Sequence, residues 1–269
     1  MVSHCKSMLK NASSSLRLCV PWLSTLVILI GWFLATLGPK ETRHIPSPAE
    51  VINAFQELNS EGLIWPSLGI SFTRVIAGLC LGMIIAVPAG VISGSTKLGD
   101  IIINKPGHML RSVPFTALAP LLIILLGIGE TMKIALIAIG VFGTFYVNMR
   151  DGVRNIDPKL LELARAYKVN SKTVFFTILL RGALPNFMTA LRFAISVSWV
   201  ALVTCETVNA SKGIGYVLAR SQEFYRPDQM LLCIVLYAIA GLLSEGIATL
   251  LEKICMPERR SSIVKIKQN

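Results

Sequence analysis

Residues 75–96 read VIAGLCLGMIIAVPAGVISGST, an unbroken run without a charged side chain. A helix needs about 20 apolar residues to cross the hydrocarbon core of a bilayer, and this run is long enough. It also contains Gly78-x-x-x-Gly82 and Gly90-x-x-x-Gly94, and small residues four positions apart let helix backbones approach closely in lipid. The stretch therefore predicts a closely packed transmembrane helix.

Similar runs recur along the chain and indicate the fold class. Five further runs cover residues 18–37, 112–129, 134–149, 182–205 and 229–251. Of the 269 residues, 53% are hydrophobic and only 15% are charged, too few to cover the surface of a soluble protein. The first run is too long for a signal peptide and is expected to remain as an anchor. We predict an all-α membrane protein with six transmembrane helices.

The basic residues indicate how these helices are oriented. If the N-terminus is cytoplasmic, the cytoplasmic segments contain eighteen of the 26 Lys and Arg residues and the outer segments contain six. Basic residues accumulate on the cytoplasmic side of membrane proteins. We therefore expect a cytoplasmic tail over residues 1–17, a transmembrane domain over residues 18–251 and a basic cytoplasmic tail over residues 252–269. The outer segment, residues 39–66, has apolar residues at helical spacing and is expected to contain a short helix.

Residues 150–181 form the predicted cytoplasmic loop between spans four and five, and the loop contains a short amphipathic helix. Asp157 is a good N-cap, Pro158 suits the first helical position, and Asn170 can end the helix. Apolar residues at helical spacing predict one apolar face, formed by Leu160, Leu161, Ala164 and Tyr167. Such a helix either lies on the lipid surface or docks into a groove on a soluble partner.

A few ionisable residues fall inside or at the ends of the predicted spans, where charge is costly and often functional. Arg74 and Glu206 lie near the outer face on spans two and five. They are either gate or anion-contact residues of a translocation path or the two halves of a structural ion pair. Arg192, near the cytoplasmic end of span five, either contacts a solute or extends to the lipid head groups. Glu245, close to the inner interface, is expected to be structural.

Several kinds of site are not indicated. The six cysteines and three histidines are scattered, so we expect no metal site. No G-x-x-x-x-G-K-[ST] motif occurs, and no acid, base and nucleophile are grouped, so we assign no nucleotide site and no catalytic residue. The net charge of +11 lies between the apolar runs rather than in a basic stripe with aromatic residues, so lipid is an expected partner and nucleic acid is not.

Residues 157–185 read DPKLLELARAYKVNSKTVFFTILLRGALP and resemble the EAA loop of ABC-importer permeases. That loop has the pattern E-A-A, three residues, G, nine residues, I-x-L-P. The matching positions are Glu162, Leu163 and Ala164 for E-A-A, Ile178 for the isoleucine, and Leu184-Pro185 for a second L-P that many members carry. Lys168 stands at the glycine and Arg181 at the first proline. We therefore expect the loop helix to end later than in its relatives, near Asn170, and the next helix to run unbroken from Ser171 to Pro185.

The resemblance extends over about residues 45–252 and favours one branch of the family. Residues 45–48 (IPSP), 71–78, 117–133 (ALAPLLIILLGIGETMK), 157–160 (DPKL) and 213–216 (GIGY) are similar to permeases that handle sulfonates, taurine and nitrate. The resemblance implies an importer permease for such a small anion. The same branch also serves thiamine-precursor pyrimidines and other small organic solutes, which stay open as the alternative.

The family resemblance also implies location, partners and cofactors. It implies a bacterial inner-membrane protein with both termini cytoplasmic, a second permease copy, two ATP-binding subunits and a periplasmic or lipid-anchored substrate-binding protein. ATP and Mg would be bound by the ATP-binding subunits and no cofactor by this chain. The residues implied to dock those subunits are Leu160, Leu161, Glu162, Leu163, Ala164, Tyr167 and Lys168.

Two other classes of membrane protein would leave recognisable patterns in the sequence. A self-sufficient secondary transporter would be expected to have inverted repeats and coupling-ion ligands near the membrane midplane. A membrane-embedded enzyme would need clustered catalytic residues. The sequence offers none of these patterns, and it therefore favours the permease.

Overall fold

The computed structural model describes Leu23, residues 25–38 and residues 45–256, and every regular element among them is helical. The elements are α1 (Thr25–Ala35), α2 (Pro48–Ser60), α3 (Ile64–Ser95), α4 (Lys97–Ser112), a 3₁₀ turn (Phe115–Leu118) leading into α5 (Ala119–Leu126), α6 (Glu130–Arg154), α7 (Pro158–Ala166), α8 (Ser171–Thr173), a π-helical segment (Val174–Leu180), α9 (Arg181–Asn209), α10 (Ile214–Glu223) and α11 (Pro227–Cys255). The all-α prediction is confirmed for these residues. The tail predicted over residues 1–17 lies outside them, as does most of the tail over residues 252–269.

Four helices are long and apolar enough to cross a membrane. They are α3, α6, the continuous helix Ser171–Val208 and α11. A fifth crossing is present if α4 and the stretch Phe115–Leu126, bent by 88° relative to each other, count as one broken span. The described part of the first predicted run contains only the shorter apolar helix α1. The described residues thus provide four or five candidate spans, and the number six stays a prediction.

The run predicted as the third span, residues 112–129, does not form one helix. α4 ends at Ser112, Val113 is extended with φ −73° and ψ 130°, and the next helical stretch begins at Phe115. Pro114 explains the break, because a proline keeps the preceding residue out of the helical region and has no N–H to donate. The expectation of a single continuous helix over this run is therefore wrong.

The central helix α6 packs most closely against α3. A Cβ atom added to Gly78 would lie 2.5 Å from the side chain of Ile137, and one added to Gly82 would lie 2.7 Å from that of Val141. The second glycine pair of the sequence meets α6 in the same way nearer its C-terminus. Because the contacts advance in the same direction along both helices, α3 and α6 run parallel. The close packing predicted for the glycine pairs is confirmed.

A second hydrophobic cluster lies beside the N-terminal part of α3. It joins α2, α10 and the first turns of α11 through Val51, Ala54, Leu58, Ile64, Ile214, Val217, Leu218, Leu232 and Cys233. The short helix predicted in this segment is α2, which begins with a capping box between Ser47 and Glu50. Arg226 donates hydrogen bonds of 3.0 and 2.5 Å to the carboxylate of Glu57, and these bonds hold the pKa of Glu57 below its usual range. The pair ties α2 to the start of α11.

The α3–α6 contact predicts a large difference between two glycines of α3. We expect Gly82→Ala to lower the free energy of unfolding by about 1–3 kcal/mol, because the added methyl group would collide with Val141 and with the carbonyl oxygen of Ala138. Gly69→Ala is the matched control, since a Cβ atom at Gly69 would meet nothing within 4 Å. Thermal unfolding of both purified variants in detergent measures the difference. Equal unfolding temperatures would contradict the proposed role of the contact.

Candidate functional site

The loop helix predicted between spans four and five is present as α7. The Asp157 carboxylate accepts a hydrogen bond from the N–H of Lys159 at 2.9 Å, and Pro158 occupies the first helical position, as the sequence predicted. The helix ends at Ala166, and Lys168 adopts the left-handed conformation with φ 50°. The expected end near Asn170 is therefore wrong.

Hydrogen bonds explain why α7 ends where it does despite the absence of a glycine. The N–H of Lys168 donates to the carbonyl of Arg165 at 3.0 Å, and the N–H of Val169 donates to the carbonyl of Ala164 at 2.9 Å. These bonds satisfy the last carbonyls of α7 and offset the cost of the left-handed conformation. Asn170 instead caps α8, accepting a hydrogen bond from the N–H of Lys172 at 3.2 Å.

The apolar residues of α7 do not form one exposed face. Ala164 is only 6% exposed and Leu161 is half-buried, so both turn toward the rest of the chain. They border a cavity of about 710 Å³ whose other walls are the C-terminal ends of α3 and α6 and the helix from Ser171. The expectation that Leu161 and Ala164 share one exposed apolar face with Leu160 and Tyr167 is therefore not met, and the docking role of these residues stays a prediction. The amphipathic pattern of a sequence does not show which apolar residues of a helix are buried by other parts of the same chain.

The other apolar residues of α7 form an exposed stripe beside Ala164. It consists of Leu160, Leu163 and Tyr167, and Leu163 and Tyr167 are 57% and 77% exposed. Glu162 and Lys168 flank the stripe and are also exposed. We call these five residues the α7 surface. They include five of the seven residues that the sequence assigned to docking.

The helix after α7 is continuous from Ser171 to Val208. It passes Arg181 and Pro185, as expected from the replacement of the first loop proline by arginine. The π-helical segment Val174–Leu180 was not predicted, because a π-helix has no simple sequence signal. Phe176 in this segment is exposed and its ring contacts that of Phe175 at 5.1 Å. The helix that follows α7 therefore exposes an aromatic side chain as well.

Arg74 and Glu206 form an ion pair, which confirms the pairing considered from the sequence. Nη1 of Arg74 lies 2.6 Å from Oε1 of Glu206, and both side chains are buried. The same guanidinium binds Glu130 through both carboxylate oxygens, at 2.6 and 2.5 Å. Lys133 lies 3.0 Å from Glu130 as well. Sequence reasoning missed Glu130, because nothing in the local pattern relates it to a residue in another span.

Glu206 is the fully buried centre of this charged cluster, which consists of Arg74, Glu130, Lys133 and Glu206. Its carboxylate accepts hydrogen bonds from the hydroxyl of Ser71 and the N–H of Gly215, both at 2.8 Å, and from the hydroxyl of Tyr237 at 3.3 Å. Gly213 adopts φ +116°, and a Cβ atom there would lie 2.5 Å from the Glu206 carboxylate. The cluster thus joins α3, α6, α9 and α11 to the turn that precedes α10.

Arg192 lies on the side of the bundle where α9 packs against α11. Its guanidinium lies 3.2 Å from Glu252 and 3.7 Å from Glu245, and its side chain is partly exposed. The structure does not bring Arg192 near Arg74 and Glu206, which lie toward the other end of α9. The structural role expected for Glu245 agrees with this pair.

Another ion-pair network joins α4 to the C-terminal end of α6. Asp100 on α4 accepts hydrogen bonds from Arg150 at 2.8 Å and from Arg154 at 3.3 Å. This pairing fixes the start of α4 at the same end of the bundle as α7.

Curated proteins of known family resemble this chain over most of its length. It is 39% identical to the putative aliphatic sulfonates transport permease protein SsuC of Escherichia coli (strain K12), over 87% of this chain and 89% of that protein. It is 29% identical to the taurine transport system permease protein TauC of the same strain, over 83% and 84% of the two chains. It is 26% identical to the nitrate import permease protein NrtB of Synechocystis sp. (strain ATCC 27184 / PCC 6803 / Kazusa), over 88% and 89%.

Solved structures share the fold. The MetNI methionine ABC transporter in inward-facing conformations matches with a TM-score of 0.63 and 17% identity, over 73% of this chain and 98% of the other. An amino acid ABC transporter with histidines matches with a TM-score of 0.61 and 14% identity, over 74% and 97%. At such identities the likeness concerns the fold alone.

The match to a protein family covers the part of the chain that contains α6, α7, α9 and the charged clusters. The sequence pattern of one family matches residues 78–254, and its members are described as binding-protein-dependent transport system inner membrane components. This match agrees with the resemblance of the cytoplasmic loop and with the names of the relatives. The chain is therefore a member of the family of binding-protein-dependent transport system inner membrane components.

Proposed function

We propose that this chain is the transmembrane permease subunit of an ATP-driven importer that carries a small anion of the alkanesulfonate, taurine or nitrate class. The observation that carries the proposal is the α7 surface, an exposed apolar stripe on a capped helix between two long apolar helices. The names of the relatives support the substrate class.

The proposal includes the partners that such a subunit needs. Two ATP-binding subunits bind ATP and Mg and dock on the α7 surface, and a second copy of this chain completes the translocation path. A substrate-binding protein, periplasmic or lipid-anchored, delivers the solute at the opposite face of a bacterial inner membrane. The basic residues near α7, among them Arg150, Arg154 and Arg165, support a cytoplasmic position for that end and for both termini.

The packing of α7 suits it to transmit motion. Ala164 and Leu161 hold α7 against the chain, while Leu163 and Tyr167 stay free for a partner. Movement of a docked subunit therefore displaces α7 together with the helices that border its cavity. Such a displacement biases a two-state equilibrium between conformations open to either side of the membrane.

The docking proposal predicts that Leu163→Asp abolishes co-purification of the ATP-binding subunits while membrane insertion remains normal. An aspartate in the docking groove would lose its hydration without gaining a partner, which costs several kcal/mol if it stays ionised. Phe224→Asp is the matched control, because Phe224 is similarly exposed but lies at the outer end of the bundle. Ala164→Asp is expected to destabilise the loop itself, since Ala164 is buried. Normal co-purification by Leu163→Asp would refute docking at this surface.

The transport proposal is tested in proteoliposomes that contain this chain with its ATP-binding and substrate-binding partner proteins. We expect uptake of labelled taurine, an alkanesulfonate or nitrate that requires ATP and all components. Uptake of a thiamine-precursor pyrimidine in place of the anions would show that the substrate class is wrong. Uptake driven by an ion gradient with this chain alone would favour a secondary transporter.

The charged cluster of Arg74, Glu130, Lys133 and Glu206 is proposed to brace the outer ends of four helices rather than to bind solute. Arg74→Ala is then expected to cost about 3–5 kcal/mol, because Glu206 would remain buried without its cation. The double variant Arg74→Ala/Glu206→Ala should be no less stable than Arg74→Ala, because directly coupled residues are non-additive. The partly exposed pair of Arg192 and Glu245 provides the control, and Arg192→Ala should lower the free energy of unfolding by at most about 1 kcal/mol. If the losses of thermal stability in Arg74→Ala and Glu206→Ala add up in the double variant, the two residues have separate roles.

A further inference from the structure

α4 does not stay at the end of the bundle where it begins but runs along α6 toward the middle. Four contacts follow one another in order along α6, three from α4 and one from the 3₁₀ turn after it. They join Asp100 to Arg150, Gly107 to Tyr146, Arg111 to Gly143 and Phe115 to Gly140. At the third contact, a Cβ atom on Gly143 would lie 3.2 Å from both Cα and Cβ of Arg111. The last turn of α4 is therefore held against the middle of α6.

The position of Arg111 along α6 places its backbone deep in the membrane. At about 1.5 Å per residue, Gly143 lies about 20 Å from Glu130 and about 17 Å from Arg154. The hydrocarbon core of a bilayer is about 30 Å thick. The α-carbon of Arg111 thus lies near the midplane of the span formed by α6. The sequence had placed this residue among the basic residues of a cytoplasmic loop.

Arg111 has no partner within the described residues, in contrast to three other cations of the membrane region, and Lys105 earlier on α4 is unpaired as well. Arg74, Lys133 and Arg192 are each ion-paired. The exposed side chain of Arg111 has no ion pair or hydrogen bond within the described part of the chain. An unpaired guanidinium facing lipid at this depth is costly, whereas one facing a water-filled path is not.

Three polar side chains of α4 share one face of the helix, and the exposed Ile101 lies at the N-terminal end of that face. Residues four and three positions apart share a face of a helix, and Asn104, His108 and Arg111 are spaced in this way. Oδ1 of Asn104 is buried without a hydrogen-bond partner in the described structure. The exposed apolar residues Ile102 and Met109 lie on another side of the helix.

We propose that Arg111, at the break between α4 and the stretch Phe115–Leu126, binds the transported anion near the membrane midplane, with His108 and Asn104 beside it. This inference rests on the proposed function and names the chemistry of its path. A guanidinium offers paired N–H donors that match the oxygen atoms of a sulfonate, a carboxylate or nitrate. The two arginines that the sequence predicted as path residues are ion-paired in this structure, whereas Arg111 is unpaired and lies near the midplane.

Cysteine labelling tests whether position 111 faces water. In a chain whose six native cysteines are replaced by serine, we expect Arg111→Cys to react with the membrane-impermeant anion 2-sulfonatoethyl methanethiosulfonate in inside-out vesicles. Ile84→Cys is the depth-matched control, because Gly82 lies opposite Val141 and Ile84 is 70% exposed on the apolar side of α3. Position 111 should react about tenfold faster or more, since the reactive thiolate forms only in water. Equal rates would overturn the proposal.

Transport by the complete importer tests whether Arg111 contacts the solute. Arg111→Gln should reduce ATP-driven uptake of the transported anion about tenfold or more, and Arg111→Lys should restore part of it, because a charge-assisted hydrogen bond is retained. Normal co-purification of the ATP-binding subunits with each variant shows that the complex has assembled. Lys97→Gln removes the same charge from the start of α4 and should leave uptake intact.

The outcomes separate this inference from the proposed function. If the wild-type importer carries an anion and Arg111→Gln carries it at the wild-type rate, the proposed function stands and the site is wrong. Lower stability of Arg111→Gln with normal uptake would likewise reduce Arg111 to a charge at the C-terminal end of a helix. If the wild-type importer carries a neutral pyrimidine and no anion, the proposed substrate class fails, and the anion site fails with it.

Discussion

The contact between α3 and α6 is the constraint that arranges the rest of the bundle. Glycines on α3 bring the two backbones so close that no side chain fits between them at Gly78 or Gly82. The two helices are parallel, so the chain between them has to return across the bundle. That return consists of α4 and the stretch Phe115–Leu126, and Pro114 breaks it. The close packing of the parallel helices α3 and α6 and the broken connection between them therefore belong to the same arrangement.

The ion-paired residues of the membrane region lie toward the two ends of the bundle. Near the N-terminal ends of α3 and α6, Arg74 is compensated by Glu130 and Glu206, so the cluster holds helices together without a net surplus of exposed charge. Near the other end, Asp100 pairs with Arg150 and Arg154. Fully paired groups of this kind satisfy their hydrogen-bonding capacity and restrict movement, which suits the ends of a bundle more than its middle.

The sequence predicted the helical class, the loop helix and the glycine contact because each depends on local composition or spacing. The capping of α7 by Asp157 and Pro158 is a property of neighbouring residues, so it could be read directly. Its buried side could not, because Ala164 is covered by residues far along the chain. Hydropathy selected residues 112–129 as a span and passed over α4, since a polar helix that is partly shielded by other helices has no apolar signal. Glu130 escaped for a similar reason, as its partner Arg74 lies in another span.

The turn before α10 has a consequence for how this sequence can change over evolutionary time. Gly213 is held in a conformation that other residues rarely adopt, and the Glu206 carboxylate fills the space where a side chain would begin. Any larger residue at 213 requires that the acid at 206 be shortened or removed, which in turn leaves Arg74 with one carboxylate fewer. Substitutions at these three positions are therefore expected to be inherited together, and an isolated change at one of them should be rare among descendants of this chain.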